Sequence, residues 1–192
     1  MIITERLTIK SMSDSDKNSL IEILRNNKVN ATYLTPDITS NEDANKLFDR
    51  IKEVSYIPDR FARGIFLDGK LIGIINDTGI ESSNVEIGYA VHPDYHNMGY
   101  GTEALKAVVE KLFEQGYTAV SAGIFEDNIA SRRVLEKCGF ILIDKTEDIE
   151  YKGKMHHCIY FEAIKHRRPL QPYQILLLAC LGMLHSYCVC FE

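Results

Sequence analysis

The chain has 192 residues, 45% hydrophobic and 26% charged, which fits an ordinary folded domain and excludes a disordered, collagen-like or polytopic membrane protein. Its 22 Lys plus Arg against 27 Asp plus Glu leave a net charge of −5, the wrong sign for a protein that draws its affinity from nucleic-acid phosphates. Mild acidity suits a cationic partner such as an amine, and equally serves plain solubility.

Ile3, Leu7 and Ile9 alternate with polar residues near the start, predicting an opening strand half buried on one face. Ser13 or Asp14 can cap a first helix carried by Leu20, Ile21 and Leu24, and Asn26-Asn27 ends its pattern. Ser40 followed three residues later by Asp43 is a variant capping box, and Ala44, Leu47, Phe48 and Ile51 form the apolar stripe of a second helix. Residues 61–67 and 71–75 have strand character and flank Asp68-Gly69, a dipeptide that favours a tight hairpin turn. A third strand over residues 85–91 stops at His92-Pro93, where proline removes a ladder donor and opens a loop over residues 92–98.

The next helix is predicted from about Gly99 to Gln115, with Ala104, Leu105, Val108, Val109 and Leu112 on one face and Gly116 as terminator. A short strand over residues 117–123 follows, then a helix over residues 128–137 closed by Gly139. Residues 140–143 and 155–164 read as two further strands joined around Lys152-Gly153-Lys154. This order predicts an α/β (α+β) domain over residues 1–165, a mixed sheet with helices on both faces. Residues 166–192 form an apolar, cysteine-containing extension. Its uncharged run of ten residues falls short of the roughly 20 that a bilayer needs, so it is expected to pack on the domain or on a partner chain.

Cys138, Cys158, Cys180, Cys188 and Cys190 include no CxxC pair and no accompanying histidine cluster, so no metal site is expected. Glu5 and Arg6 stand where a secretory signal would place its apolar stretch, so free thiols in a reducing cytoplasm are expected.

The informative stretch is Tyr95-His96-Asn97-Met98-Gly99-Tyr100-Gly101-Thr102, a glycine-containing loop between a strand and a helix. Main-chain N–H groups at a helix start have no partner within the helix and carry the positive end of its dipole, so a phosphate can accept several of them. Glycines at positions 99 and 101 let the backbone approach such a ligand. Two glycines alone describe a tight turn before a helix equally well, and the third glycine of a dinucleotide fingerprint and the Lys of an NTPase loop are missing.

A second segment, Asn128-Ile-Ala-Ser131 leading to Glu136-Lys137-Cys138-Gly139-Phe140, supplies context. Together the two segments resemble the GNAT superfamily of acetyl-CoA-dependent N-acetyltransferases, over roughly residues 2–165. The Gly-Tyr-Gly-Thr-Glu-Ala and Ser-Arg-Arg-Val-Leu-Glu-Lys wording looks most like the branch that acetylates N-terminal amines of ribosomal proteins and related small amines. The family's Gln/Arg-x-x-Gly-x-Gly/Ala pattern keeps both glycines here and has His96 at its first position, which affects one side-chain contact and leaves the backbone amides.

The resemblance implies a GNAT-type, mainly antiparallel sheet and acetyl-CoA as co-substrate, gripped by the main chain of His96, Asn97, Met98, Gly99, Tyr100, Gly101 and Thr102 between the strands over residues 85–91 and 117–123. It assigns Asn128 and Ser131 to the pantetheine arm, although Asn128 can simply cap its helix and Ser131 can be a plain helical serine. Glu86 is implied as the base that takes a proton from the amine, directly or through a water; otherwise it is a solvated strand carboxylate. An amide near the strand end, that of Ala90 or Val91, is implied as donor to the oxyanion. Many relatives place an acid tyrosine seven residues after the asparagine; here that position is Leu135, and Tyr89, Tyr95 and Tyr100 are the other phenols nearby. Cys138 reads as a small apolar side chain.

The expected partner is thus an amine, either a protein N-terminus or a small molecule, with no nucleic acid or membrane involved and with a homodimer compatible. A coenzyme-binding sensor or assembly module with little catalysis is the alternative. The acceptor pocket is expected from the first two helices and the hairpin near residues 152–155, with Tyr33, Asp37 and Asp59 as polar candidates.

Overall fold

Asp68 and Gly69 have φ values of 48° and 81°, so the expected tight turn forms and sets the register of the hairpin on either side of it. That hairpin joins β3 (Ala62–Leu67) to β4 (Lys70–Glu81). The computed structural model describes residues 1–36 and 38–165, so Asp37 and the extension over residues 166–192, with Cys180, Cys188 and Cys190, lie outside the described residues.

In chain order, β1 (Ile2–Ile3) and β2 (Leu7–Lys10) precede α1 (Lys17–Arg25), which a short 3₁₀ turn at Asp14–Asp16 leads into. Then come α2 (Asn27–Asn30), α3 (Asn41–Val54), the β3–β4 hairpin, β5 (Asn84–Val91) and α4 (Tyr100–Glu114). The chain continues through β6 (Ala119–Phe125), α5 (Ile129–Lys137), β7 (Ile141–Tyr151) and β8 (Lys154–Ile164). The eight strands form one sheet in the order β1-β2-β3-β4-β5-β6-β8-β7, antiparallel throughout except where β5 meets β6.

Alternation along β5 explains the two layers. Val85 and Ile87 point to one face and pack with Leu105, Val108 and Leu112 of α4 and Leu135 of α5. Ala90 points to the other, where Leu20 and Leu24 of α1 and Phe48 of α3 cover Phe66, Leu71 and Ile74. The α3 stripe packs on the core as its spacing predicts, whereas on α1 Ile23 joins Leu20 and Leu24 in the core in place of the expected Ile21. Ser40 caps α3 by accepting from Asp43 N at 3.0 Å, and the Asp43 carboxylate accepts from Ser40 N in return. Hydrogen bonds from Ser40 and Thr39 hold Asp43 below the usual carboxylate range.

Several elements differ from expectation. The single opening strand is two, β1 and β2 paired antiparallel with Ile3 exposed, and the strand expected over residues 71–75 runs on to Glu81 as β4. The strand expected to stop at residue 143 continues to Tyr151, pairing with β8 across the Lys152-Gly153 turn. Its side chains from Asp144 to Asp148 are exposed on both faces, so no hydrophobic alternation announces it. The four-residue α2 is likewise too short for a 3.6-residue period; only Asn26, whose side chain accepts from Lys28 N, marks its start.

β5 and β6 pair only from Asn84 to Glu86, opposite Ala119 to Ser121. Beyond that, β5 continues against β4 while β6 continues against β8. A V-shaped gap opens between two parallel strands, and the chain leaving β5 turns back through α4 beside it. Among the described residues no helix is long and apolar enough to cross a membrane.

Candidate active site

The gap leads into a cleft of about 440 Å³. Of the residues singled out in the sequence, Ala90, Val91, His96, Asn97, Gly99, Tyr100, Gly101, Thr102, Asn128 and Ser131 all line it, whereas Met98 and Glu86 do not. Segments far apart in the chain thus line one cleft.

The loop is shaped by its backbone. His92 Nδ1 accepts from Asp94 N at 3.3 Å and starts a 3₁₀ turn, after which His96 Nε2 donates to Val91 O at 2.8 Å. The imidazole thereby straps the loop to the end of β5. Asn97 and Gly99 adopt left-handed φ values of 61° and 84°, a conformation that glycine takes at little cost. Glu103 N bonds to Gly99 O at 3.0 Å, so the N–H groups of Tyr100, Gly101 and Thr102 have no partner inside α4. A Cβ at Gly101 would meet only Val91 Cγ2, at 3.8 Å, so the backbone is bare toward the cleft. Lys28, Arg133 and Lys137 place three cations along the same lining. The arrangement suits a polyanion.

The strand ladder separates Ala90 from Val91. His92 N donates to Ile72 O at 2.8 Å, which fixes the phase of the β4–β5 ladder. With Ala90 opposite Ile74 and Val91 opposite Gly73, the Ala90 N–H faces β4 and the Val91 N–H faces the gap. Of the two amides, only that of Val91 is aimed into the cleft.

On α5, Asn128 Oδ1 accepts from Ser131 N at 3.1 Å, so the helix cap is real, and the same side chain still lines the cleft. Ser131 Oγ lies 2.9 Å from Tyr89 Oη. Burial raises the Tyr89 phenol, so it stays protonated. Leu135 has no exposed surface and sits in the core between α5 and the sheet, leaving no polar group at that position. Burial pushes the Cys138 thiol up to about 11, so it is a packing group with its sulfur 3.5 Å from Thr102 O.

Glu86 lies on the opposite sheet face from Val85 and Ile87. Its carboxylate accepts from Thr78 Oγ1 at 3.0 Å and faces Lys145 Nζ at 3.5 Å. Tyr33 lines the cleft and stands over Gly88, where a Cβ would come 3.4 Å from the ring. Glu86 is one same-face step from Gly88, about 7 Å along the strand. Tyr33 donates to Asn76 Oδ1, and burial raises its phenol too. From the far side, Tyr151 at the tip of the β7–β8 hairpin donates to Asn30 O at 2.9 Å, closing an arch over this region. Asp59 is exposed in the connection between α3 and β3 and takes no part in the cleft lining. Among the described residues no group of three or more His, Cys, Asp or Glu side chains is arranged to hold a metal ion.

Sequence reasoning missed the residues behind the loop. Arg6 and Thr4, on the connection from β1 to β2, hold Glu103 of α4. Arg6 is a charged residue in a polar segment, and nothing in its spacing ties it to a loop more than ninety positions away.

Residues 6–141 match the family model described as the acetyltransferase (GNAT) domain. An uncharacterized N-acetyltransferase, YoaA of Bacillus subtilis (strain 168), is 29% identical over 142 residues, covering 71% of this chain and 80% of that protein. Among solved structures, RimL, a ribosomal L7/L12 alpha-N-protein acetyltransferase in complex with coenzyme A, superposes with a TM-score of 0.76 at 20% identity. It covers 84% of this chain and 96% of its own. A GNAT-family acetyltransferase from Bacillus anthracis superposes with a TM-score of 0.74 at 23% identity, covering 85% and 97%. Over the loop, the splayed strands and both helices of the cleft, this chain belongs to the GNAT acetyltransferase family and is an acetyl-CoA-dependent N-acetyltransferase.

Proposed function

We propose that the protein moves an acetyl group from acetyl-CoA to a primary amine by direct attack within a ternary complex, the acceptor being a protein N-terminus or a small amine. The observation that carries this reading is the row of unpartnered amides from Gly99 to Thr102 beside the gap into which Val91 N–H points. In the reading, those amides and the cations of Lys28, Arg133 and Lys137 hold the phosphates. Asn128 and Ser131 flank the pantetheine arm. The thioester carbonyl then meets Val91 N–H, a donor already aimed at the place where negative charge develops.

An alkylammonium with a pKa of about 10.4 must lose a proton before its nitrogen can attack. Glu86 is the carboxylate on the acceptor side, and its separation from the cleft wall favours proton transfer through a water. The amine nitrogen bonds to the carbonyl carbon, the C–S bond breaks, and sulfur leaves with the electron pair. A thiol of pKa about 8.5 is stable enough as thiolate to depart without an acid at Leu135. A cytoplasmic setting accords with the free thiols of Cys138 and Cys158.

Similarity to RimL favours a protein N-terminus as acceptor. Calorimetry with coenzyme A, followed by thiol release from acetyl-CoA across a panel of small amines and N-terminal peptides, tests the reading. Micromolar uptake and amine-dependent release are expected; uptake without release with any amine leaves a binding module, and absence of uptake removes the reading.

A further inference from the structure

We propose that Arg6 is a positioning residue for the coenzyme, holding the loop so that its amides face the diphosphate and keeping the charge of Glu103 away from it. The proposal rests on the coenzyme reading above and adds a device outside the cleft.

Glu103 stands in the first turn of α4. A carboxylate there favours the helix dipole, but in a helix that receives an anion it also competes with that anion. Here it is turned to the back of the loop and saturated with donors. Thr4 Oγ1 reaches Glu103 Oε1 at 2.6 Å and Arg6 N the same oxygen at 2.9 Å, while Arg6 Nε and Nη2 bind Oε2 at 2.7 and 2.6 Å. Burial works against the charged form, yet the hydrogen bonds from Thr4 and Arg6 together hold Glu103 below the usual glutamate range.

The remaining arm of the same guanidinium sets the loop. Arg6 Nη1 donates to Met98 O at 2.9 Å, and its plane lies over the Tyr100 ring, 4.5 Å from the centroid. In a planar trans peptide the carbonyl and the following N–H point in opposite directions. Tying Met98 O outward to Arg6 therefore turns Gly99 N–H toward the cleft, which Gly99 lines and Met98 does not. One side chain thus fixes the peptide that opens the amide row, the aromatic ring beside it and the acid of the first turn. An isolated ion pair with Arg6 40% exposed would do little for stability. Its worth lies in pre-organisation, because a loop already in the binding conformation loses less entropy on binding.

The experiment compares two donors in the full-length protein: coenzyme A, with acetyl-CoA for turnover, and pantetheine with S-acetylpantetheine, which lack the diphosphate. For Arg6→Ala the Kd for coenzyme A should rise roughly tenfold or more, with kcat/KM for S-acetylpantetheine within about twofold of wild type. Arg6→Lys keeps the charge but loses the fork, so an intermediate loss is expected, and it serves if the alanine variant fails to fold. In Arg6→Ala/Glu103→Gln the uncompensated carboxylate is gone, and affinity for coenzyme A should recover by about threefold or more. Equal losses on both donors, an unchanged Kd, or no recovery in the double variant would overturn the proposal. A wild-type protein that binds coenzyme A no better than pantetheine would remove the parent reading instead, whereas a wild-type preference retained by Arg6→Ala removes the positioning role alone.

Discussion

The two sides of the cleft are built differently. The side proposed for the coenzyme is a backbone device: consecutive residues from Gly99 to Thr102 leave amides unpartnered at a helix start, the His96 amide being taken by Pro93 O, and one asparagine caps the neighbouring helix. The side proposed for the acceptor is a side-chain device, in which Glu86 of β5, Thr78 of β4, Tyr33 beyond α2, and Lys145 and Tyr151 of β7 come from distant parts of the chain. A backbone device needs only local conformation and tolerates most side-chain changes. A side-chain device needs every element docked, and its residues can change with the acceptor without disturbing the fold.

The sharpest way to break this comparison is Glu86→Gln. It should lower kcat by a hundredfold or more, on the order of what a positioned base supplies, and leave coenzyme A affinity unchanged by calorimetry. The loss should shrink as pH rises toward the amine's own pKa; a kcat matching wild type across pH takes Glu86 out of the mechanism.

Gly101→Ala probes the other side with opposite effects on binding and folding. The methyl group has room in the free protein and should add up to about 1 kcal/mol of stability by helix propensity. It stands where the proposed function puts the diphosphate, so the Kd for coenzyme A should rise about tenfold. Thermal melts together with calorimetry read both, and tighter binding would show that the bare backbone is not the seat.

Tyr151→Phe removes the hydrogen bond that closes the arch. A loss of about 1 kcal/mol in stability and a few-fold rise in acceptor KM are expected, with acetyl-CoA KM unmoved. An equal shift in both KM values would mean that the two sides are one mechanical unit.

The smallest effect concerns acid. The folded-state pKa of Glu103 lies below its ordinary value, so its contribution is present above the ordinary glutamate pKa and fades as pH falls through the lowered one. Glu103→Gln should therefore lower stability slightly at neutral pH and flatten the acid limb, the difference from wild type closing as pH falls below about 4.5.

Much of this was legible in residue order, and the reasons are local. Asp68-Gly69, the Ser40–Asp43 box, Asn128 and the loop glycines act through backbone dihedrals and hydrogen bonds within a few positions, so the hairpin, the caps and the amide row follow from composition at those sites. The apolar stripes of α3 and α4 followed from spacing alone, because burial of one face imposes the period, whereas α1 buries Ile23 rather than Ile21.

What needed the tertiary structure is everything set by pairing at a distance. Only the ladder phase shows that Val91 rather than Ala90 offers its amide to the gap, since one step along a strand reverses the direction of every N–H. The divergence of β5 from β6, the reach of β7 to Tyr151 and the bridge from Arg6 to Glu103 likewise depend on which strands and helices become neighbours. Such contacts leave no period in the sequence, because a hydrogen bond or ion pair needs two groups close in space and places no constraint on the residues that separate them along the chain.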